Sequence, residues 1–348
     1  MIKLILMNGG ETEITFPCRE KELYDCLEKI GIPELVPPIV YVKEIISPKE
    51  YAGLAGKVQN LDEINYFAGY KENLIPADRV KLQAVVSREK ELTPSRLINL
   101  CFDLDRYELK QKGELVAAGQ KGIETEYGFL YIHEDIPPRQ VYNGKVFPFC
   151  VSGDDETPLL EAEVEYGGES EIIALPCEPM AIKKMLHRLG AYNADDCKNS
   201  LEGFSSRSRP WIDIFKNVLS ENNIYRVNEF AITVREKQIN MAKLLKFIEY
   251  AGDESLDTIL KLAEHINNFN YISEIGSYEE LGKHAIQNYL LEDLPTEFEE
   301  CIDYAACGEI FADEVKGKFL NGGFGYMSGG KSLEDILSDA DMSMGEIQ

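Results

Sequence analysis

The chain opens on Ile2-Lys3-Leu4-Ile5-Leu6, a strand-like apolar run, and the pattern that follows it returns later in the sequence. Gly9-Gly10-Glu11-Thr12-Glu13-Ile14, Pro17-Cys18, then Leu23, Leu27, Ile30 and Gly31 form the first copy. Gly167-Gly168-Glu169-Ser170-Glu171-Ile172, Pro176-Cys177, Ile182, Leu186, Leu189 and Gly190 form the second, with one residue inserted before Pro-Cys. Each copy predicts a strand, a Gly-Gly turn, a second alternating strand and a helix whose apolar face is spaced by threes and fours and closed by glycine. The likeness resumes where Leu97-Ile98-Asn99-Leu100 with Leu104 and Tyr107 matches Ile259-Leu260-Lys261-Leu262 with Ile266 and Phe269. Both stretches predict amphipathic helices, the first starting at Thr93-Pro94 and the second near Asp253 and Ser255. Helical periodicity also covers Leu61 to Tyr70 and Ile239 to Tyr250. Two related halves, 1–110 and 160–270, are expected, each placing a small α/β unit before a helical one.

Between the halves, Tyr127-Gly128-Phe129-Leu130-Tyr131-Ile132, Pro137-Pro138 and Asn143-Gly144 punctuate short β-like runs and predict a hairpin-rich connector over 111–158. Beyond 270, Ser277-Tyr278-Glu279-Glu280 and Thr296-Glu297-Phe298-Glu299 fit the capping box, so two helices are expected, the second ending at Gly317. Lys318 to Met327 reads as a closing strand. Ser328 to Gln348 reads as a mobile tail with at most one short helix around Leu333 to Leu337. The expected fold class is α+β, an elongated multi-domain chain of small α/β units alternating with short helical bundles. Its segments are 1–58 (α/β), 59–110 (helical), 111–158 (connector), 159–235 (α/β), 236–274 (helical), 275–327 (acidic α/β) and 328–348 (tail).

Length agrees with several domains, since 348 residues exceed the roughly 100 to 200 of one. No window approaches the ~20 uninterrupted apolar residues of a membrane helix, and no basic, apolar and cleavable leader follows Met1, so a cytoplasmic protein is expected. Eight cysteines without a Cys-x-x-Cys pair suit reduced thiols. Charge changes the picture most. Against 36 Lys and Arg stand 61 Asp and Glu, a net −25 that argues against direct nucleic-acid binding and for a basic partner. Residues 251–348 hold 21 of the acids and five lysines, with no arginine. Tyr278, Leu281, Ala285 and Tyr289, then Phe298, Ile302, Ala305 and Ala306, recur at helical spacing among those acids, so they sit on folded helices rather than in a disordered tail.

Chemistry-bearing motifs are few. His133, His187, His265 and His284 have no metal-ligand spacing, and Asp135-Ile136-Pro137-Pro138 breaks any helix after His133-Glu134. Gly53-Leu54-Ala55-Gly56-Lys57-Val58 lacks the glycine spacing of a phosphate loop and the hydroxyl after lysine, and reads as a loop. Ser87-Arg88-Glu89-Lys90 has no Lys-Thr-Gly to complete a nucleophilic serine site. Gly322-Gly323-Phe324-Gly325 reads as a tight turn, and Ser205 to Trp211 as a basic loop packing Trp211. No catalytic constellation, metal or cofactor is expected.

The last third resembles the ArdA antirestriction proteins, on Ser277-Tyr278-Glu279-Glu280-Leu281-Gly282-Lys283, Leu294-Pro295-Thr296-Glu297-Phe298-Glu299, Ile302-Asp303-Tyr304 with Gly308, and Gly322-Gly323-Phe324-Gly325-Tyr326. Leu61 to Ala68 and Arg96 to Asp105 resemble that family's central helical region. The resemblance implies a DNA mimic, often dimeric and carried by mobile elements, that fills the DNA-binding groove of type I restriction-modification enzymes. This chain is about twice as long as a typical member, so two tandem units stand as an alternative to a homodimer. The family motif falls on Asp303, Tyr304 and Gly308. Acids three or four apart on a helix lie about 5 to 6 Å from each other, a spacing suited to imitating phosphates. Glu279, Glu280, Glu292, Asp293, Glu297, Glu299, Glu300, Asp303, Glu309, Asp313 and Glu314 are the phosphate-mimicking candidates. The expected partner is the basic groove of a restriction-modification enzyme. Another defence protein such as an RNA-guided nuclease, or a protein bound by an acidic adaptor, is the alternative; no membrane is expected.

Overall fold

The computed structural model describes residues 1–111, 122–149, 158–204, 211–290, 301–329 and 332–338. The chain divides into two compact units, Met1–Gly203 with Asn223–Tyr225, and Phe204–Asn222 with Arg226–Gln348.

In the first unit, β1 (Ile2–Met7) and β2 (Glu11–Phe16) form a hairpin whose Gly9 sits at a φ of +68°, where glycine alone is unstrained. Ile2, Leu4 and Leu6 alternate inward and meet Leu23 and Leu27 of α1 (Glu20–Lys29) in one core. With β3 (Ile39–Ser47) and β4 (Lys57–Asn60) they complete a sheet in the order β2-β1-β3-β4. Lys57 and Val58, expected in a loop, are therefore strand residues paired with Val42 and Tyr41. Three helices follow, α2 (Leu61–Asn73), α3 (Pro76–Val86) and α4 (Pro94–Phe102), the last capped by Thr93 Oγ1 accepting from the Arg96 N–H at 3.2 Å. A 3-10 turn at Leu104–Arg106 leads into β5 (Tyr107–Lys110), which joins β6 (Ile123–Thr125) and β7 (Gly128–Ile132) in the order β5-β7-β6. Much of the expected connector thus completes the first half's own sheet. The rest of its described part packs over the helices: Tyr142 is buried, its N–H and C=O bond the Asn99 amide at 2.9 Å, and Phe147 stacks on Tyr66 at 4.2 Å.

The second copy's hairpin, β8 (Leu160–Tyr166) and β9 (Glu169–Leu175), its helix α5 (Pro179–Leu189, closed by Gly190 at φ +75°) and β10 (Lys198–Phe204) repeat the first pattern in the order β10-β8-β9. Within the first unit a buried charge cluster ties this copy to the first. Lys184 Nζ on α5 donates to both carboxylate oxygens of Glu20, at 2.8 and 2.7 Å, and pairs with Asp62; Arg188 bonds Glu171 and reaches Asp62 at 3.5 Å. Lys184 is 3% exposed, so these charges are withdrawn from water and must pair with one another.

The second unit carries α6 (Ile212–Glu221), α7 (Ile224–Glu236), α8 (Met241–Ala251) and α9 (Leu256–Glu264), the last capped by Ser255. A 3-10 turn at Ile266–Asn268 and β11 (Phe269–Ser273) repeat the order seen after α4. Next come α10 (Tyr278–Ala285, continued by a π turn to Leu290), α11 (Tyr304–Val315), β12 (Lys318–Leu320), β13 (Gly323–Met327) and α12 (Leu333–Ser338). Lys318 to Met327 is accordingly a hairpin about Gly322 rather than one strand, and its sheet runs β11-β13-β12. The expected boundary at 274/275 cuts that sheet, because β11 pairs with β13. Asp303 begins α11 and Lys316, at φ +50°, ends it; the capping box at 296–299 lies outside the described residues. Among the described residues no helix is long and apolar enough to cross a membrane.

Candidate partner-binding site

The acidic helices are built from their caps inward. Ser277 Oγ accepts from the Glu280 N–H at 3.3 Å while Glu280 Oε2 accepts from the Gly276 N–H at 2.7 Å, the expected capping box. The Gly276 amide first, and then the Ser277 hydroxyl and amide, hold the Glu280 carboxyl below its usual range. Asp303 Oδ1 caps α11 by accepting from the Ala306 N–H at 3.1 Å. The two helices then cross with their backbones in contact. A Cβ on Gly282 would lie 1.8 Å from the Tyr304 carbonyl oxygen, and one on Gly308 would lie 1.9 Å from that of Tyr278. Gly308 is therefore a packing requirement, and it needs Gly282 opposite. Leu281, Ala312, Phe311 and Val315 cover Phe324 and Tyr326 of β13, and the Tyr278 ring meets Phe319 edge-on at 5.1 Å.

This crossing decides where the charges point. With one face of each helix pressed on the other and on the sheet, Glu279, Glu280, Asp303, Glu309, Asp313 and Glu314 are all exposed. Their roles differ. Glu279 pairs with Lys283 at 2.7 Å, so its charge is largely offset, and Glu280 and Asp303 also serve as caps. Glu309, Asp313 and Glu314 have no ion-pair partner among the described residues, and the 1.5 Å helical rise sets Glu309 and Asp313 about 6 Å apart along one face. Tyr304 is half-buried with the Lys283 ammonium 5.5 Å from its ring centroid. Glu292, Asp293, Glu297, Glu299 and Glu300 lie outside the described residues.

Sequence reasoning missed a second acidic row. Glu161, Glu163 and Glu165 alternate on β8, the central strand of its sheet, and share one face. Glu163 accepts from the Ser200 hydroxyl at 3.2 Å, and none of the three has an ion-pair partner among the described residues. The signal was present as Glu-Ala-Glu-Val-Glu, whose period of two places all three on the face opposite Ala162 and Val164, which are buried.

Two motifs set aside in the sequence meet in one open depression of the first unit, where Gly53, Lys57, Ser87 and Lys90 gather with Glu50, Glu89 and Glu91. It holds no activated nucleophile: the Ser87 hydroxyl donates to the Ala84 carbonyl at 2.8 Å, Lys57 Nζ donates to that of Leu92, and Glu89 pairs with Arg96. Burial raises the thiols of Cys18 and Cys101, the latter to about 12, leaving them protonated and inert. Among the described residues no group of three or more His, Cys, Asp or Glu converges as a metal site. Comparison with known protein families and with curated proteins finds no match for this chain.

Proposed function

We propose that this chain is a non-enzymatic antirestriction protein that imitates DNA and occupies the DNA-binding groove of a type I restriction-modification enzyme. The observation that carries the reading is the acidic face of α11, where Glu309, Asp313 and Glu314 stand exposed with no ion-pair partner among the described residues, in a region of 21 acids and five lysines. A groove that binds duplex is lined with Lys and Arg and gains free energy by releasing counterions from phosphates spaced ~1.7 Å apart along the axis. Carboxylates fixed on folded helices offer the same groove a ready array of anions at little ordering cost. The resemblance to the ArdA proteins supports the same partner. Each exposed charge contributes little alone, about 0 to 1 kcal/mol, so the affinity is collective.

The test is to titrate the protein into a type I enzyme bound to labelled DNA. Release of DNA at near-stoichiometric protein is the expected result, and DNA that stays fully bound under a large excess of protein overturns the reading.

A further inference from the structure

The two copies match in register to a degree that exposes where they differ. The His133 N–H donates to the Arg106 carbonyl at 2.8 Å, and Ser328 donates to Asn268 at 2.7 Å in the same place of the second copy. Tyr107 pairs with Ile132 as Phe269 pairs with Met327, and Ile123 with Leu130 as Lys318 with Gly325. Gly128 and Gly323 coincide under this alignment and have one cause: a Cβ on the first would lie 2.7 Å from the Lys110 carbonyl oxygen, and on the second 2.3 Å from that of Ile272. Within these two three-stranded sheets, only the link between the first strand and the hairpin departs. Beyond the positions paired in both copies it spans 111–122 in the first and 273–317 in the second, where Ser273 adds one further pair to β11, and the longer link holds α10 and α11.

The sheet face under those helices has changed with them. In the second copy the row across the sheet is Ile272, Phe324 and Phe319, all packed with α10 and α11. In the first the same row is Lys110, Phe129 and Glu124. Two apolar positions that the helices cover in the second copy are charged in the first, where the link is only twelve residues long, as expected if that face does not have to bury them. The links also differ in charge. Residues 273–317 contain twelve acids and two lysines, whereas 111–122 contain one acid and two lysines.

We propose that α10 and α11 form an arm inserted into one of two otherwise matching three-stranded sheets, and that this arm makes the contact with the basic cleft proposed above. The first copy is then a scaffold that keeps the shared fold without the arm, and each chain presents one arm. This inference rests on the DNA-mimic reading for the identity of the partner and on the register of the copies for the arm's independence.

The experiment replaces 273–317 in the full chain by the sequence of 111–122, with Ile272→Lys and Phe319→Glu to match the first copy's sheet face. A second full-length variant combines Glu309→Gln, Asp313→Asn and Glu314→Gln, which leave the helix crossing intact. Folding is followed by circular dichroism and urea unfolding, and function by DNA displacement from the type I enzyme. The armless chain is expected to unfold cooperatively and to displace DNA about 100-fold less well, and the triple variant about tenfold less well. An armless chain that cannot fold overturns the insertion, and undiminished displacement by either folded variant overturns the arm as the contact. If the parent itself leaves DNA bound, the DNA-mimic reading fails first and the arm's assigned partner falls with it.

Discussion

Replacing Gly308 by alanine sets two physical effects against each other. Helix propensity alone predicts that Gly308→Ala stabilises α11 by about 1 kcal/mol, since glycine pays the larger backbone entropy. The crossing predicts the reverse. A Cβ at 1.9 Å from the Tyr278 carbonyl oxygen must move to an ordinary contact of 3.4 Å or more, so the helices part by roughly 1.5 Å. Parting them loosens Leu281 and Ala312 from Phe324. Overpacking of this kind costs about 1 to 3 kcal/mol, and a clash with backbone, which cannot rotate away, lies at the upper end or beyond. The expected net loss is about 2 kcal/mol, read as faster amide exchange in α10 and α11 and an earlier urea transition of the second unit. Gly276→Ala is the control, because its Cβ would meet only Glu280 Oε2 at 3.6 Å and should change stability by less than about 0.5 kcal/mol. A neutral or stabilised Gly308→Ala would refute the crossing.

Lys184→Met removes the cation held by Glu20 and Asp62 and leaves the buried Asp62 carboxylate facing the partly buried Glu20, a loss of about 3 kcal/mol by urea unfolding of the first unit. Adding Glu20→Gln to that variant should recover part of the loss; no recovery would mean that packing of the lysine stem, not charge, is what matters. Asp253 accepts from the Thr258 hydroxyl and the Ser255 N–H, and the hydroxyl first of all holds its carboxyl below the ordinary value. Its contribution is present above the unfolded pKa and is lost as pH falls through the depressed folded value. Asp253→Asn, at this exposed site, should cost under about 1 kcal/mol at neutral pH, and the difference from the parent should shrink as the pH is lowered through the depressed value of the folded state.

Local pattern made part of this fold legible in the sequence and distance hid the rest. Hairpins β1–β2 and β8–β9 show as alternating runs around Gly-Gly, and α4 and α9 show their caps at Thr93 and Ser255. The sheets β5-β7-β6 and β11-β13-β12 were not legible because their first strand pairs with the last across a link of unequal length, which disguised two equivalent sheets as a connector and a separate acidic unit. The start of α11 at Asp303 was masked by a better-looking capping box upstream. At the candidate site, Gly308 was named from a motif, whereas its reason, the backbone of Tyr278, lies thirty residues away and needs the crossing to be seen. The pairing of Lys184 with Asp62 left no sequence signal, since charge pairs distant in the chain have no period.

The central claim is that a folded array of fixed anions stands in for the charge of duplex DNA, and salt tests it most directly. Affinity for the type I enzyme and stability of the free protein are measured side by side between about 50 and 200 mM salt. The account predicts opposite responses: binding weakens steeply, with a linear fall of log affinity against log salt concentration, while the free protein, relieved of repulsion among its 61 acids, unfolds later. Affinity that is flat across that range would contradict it.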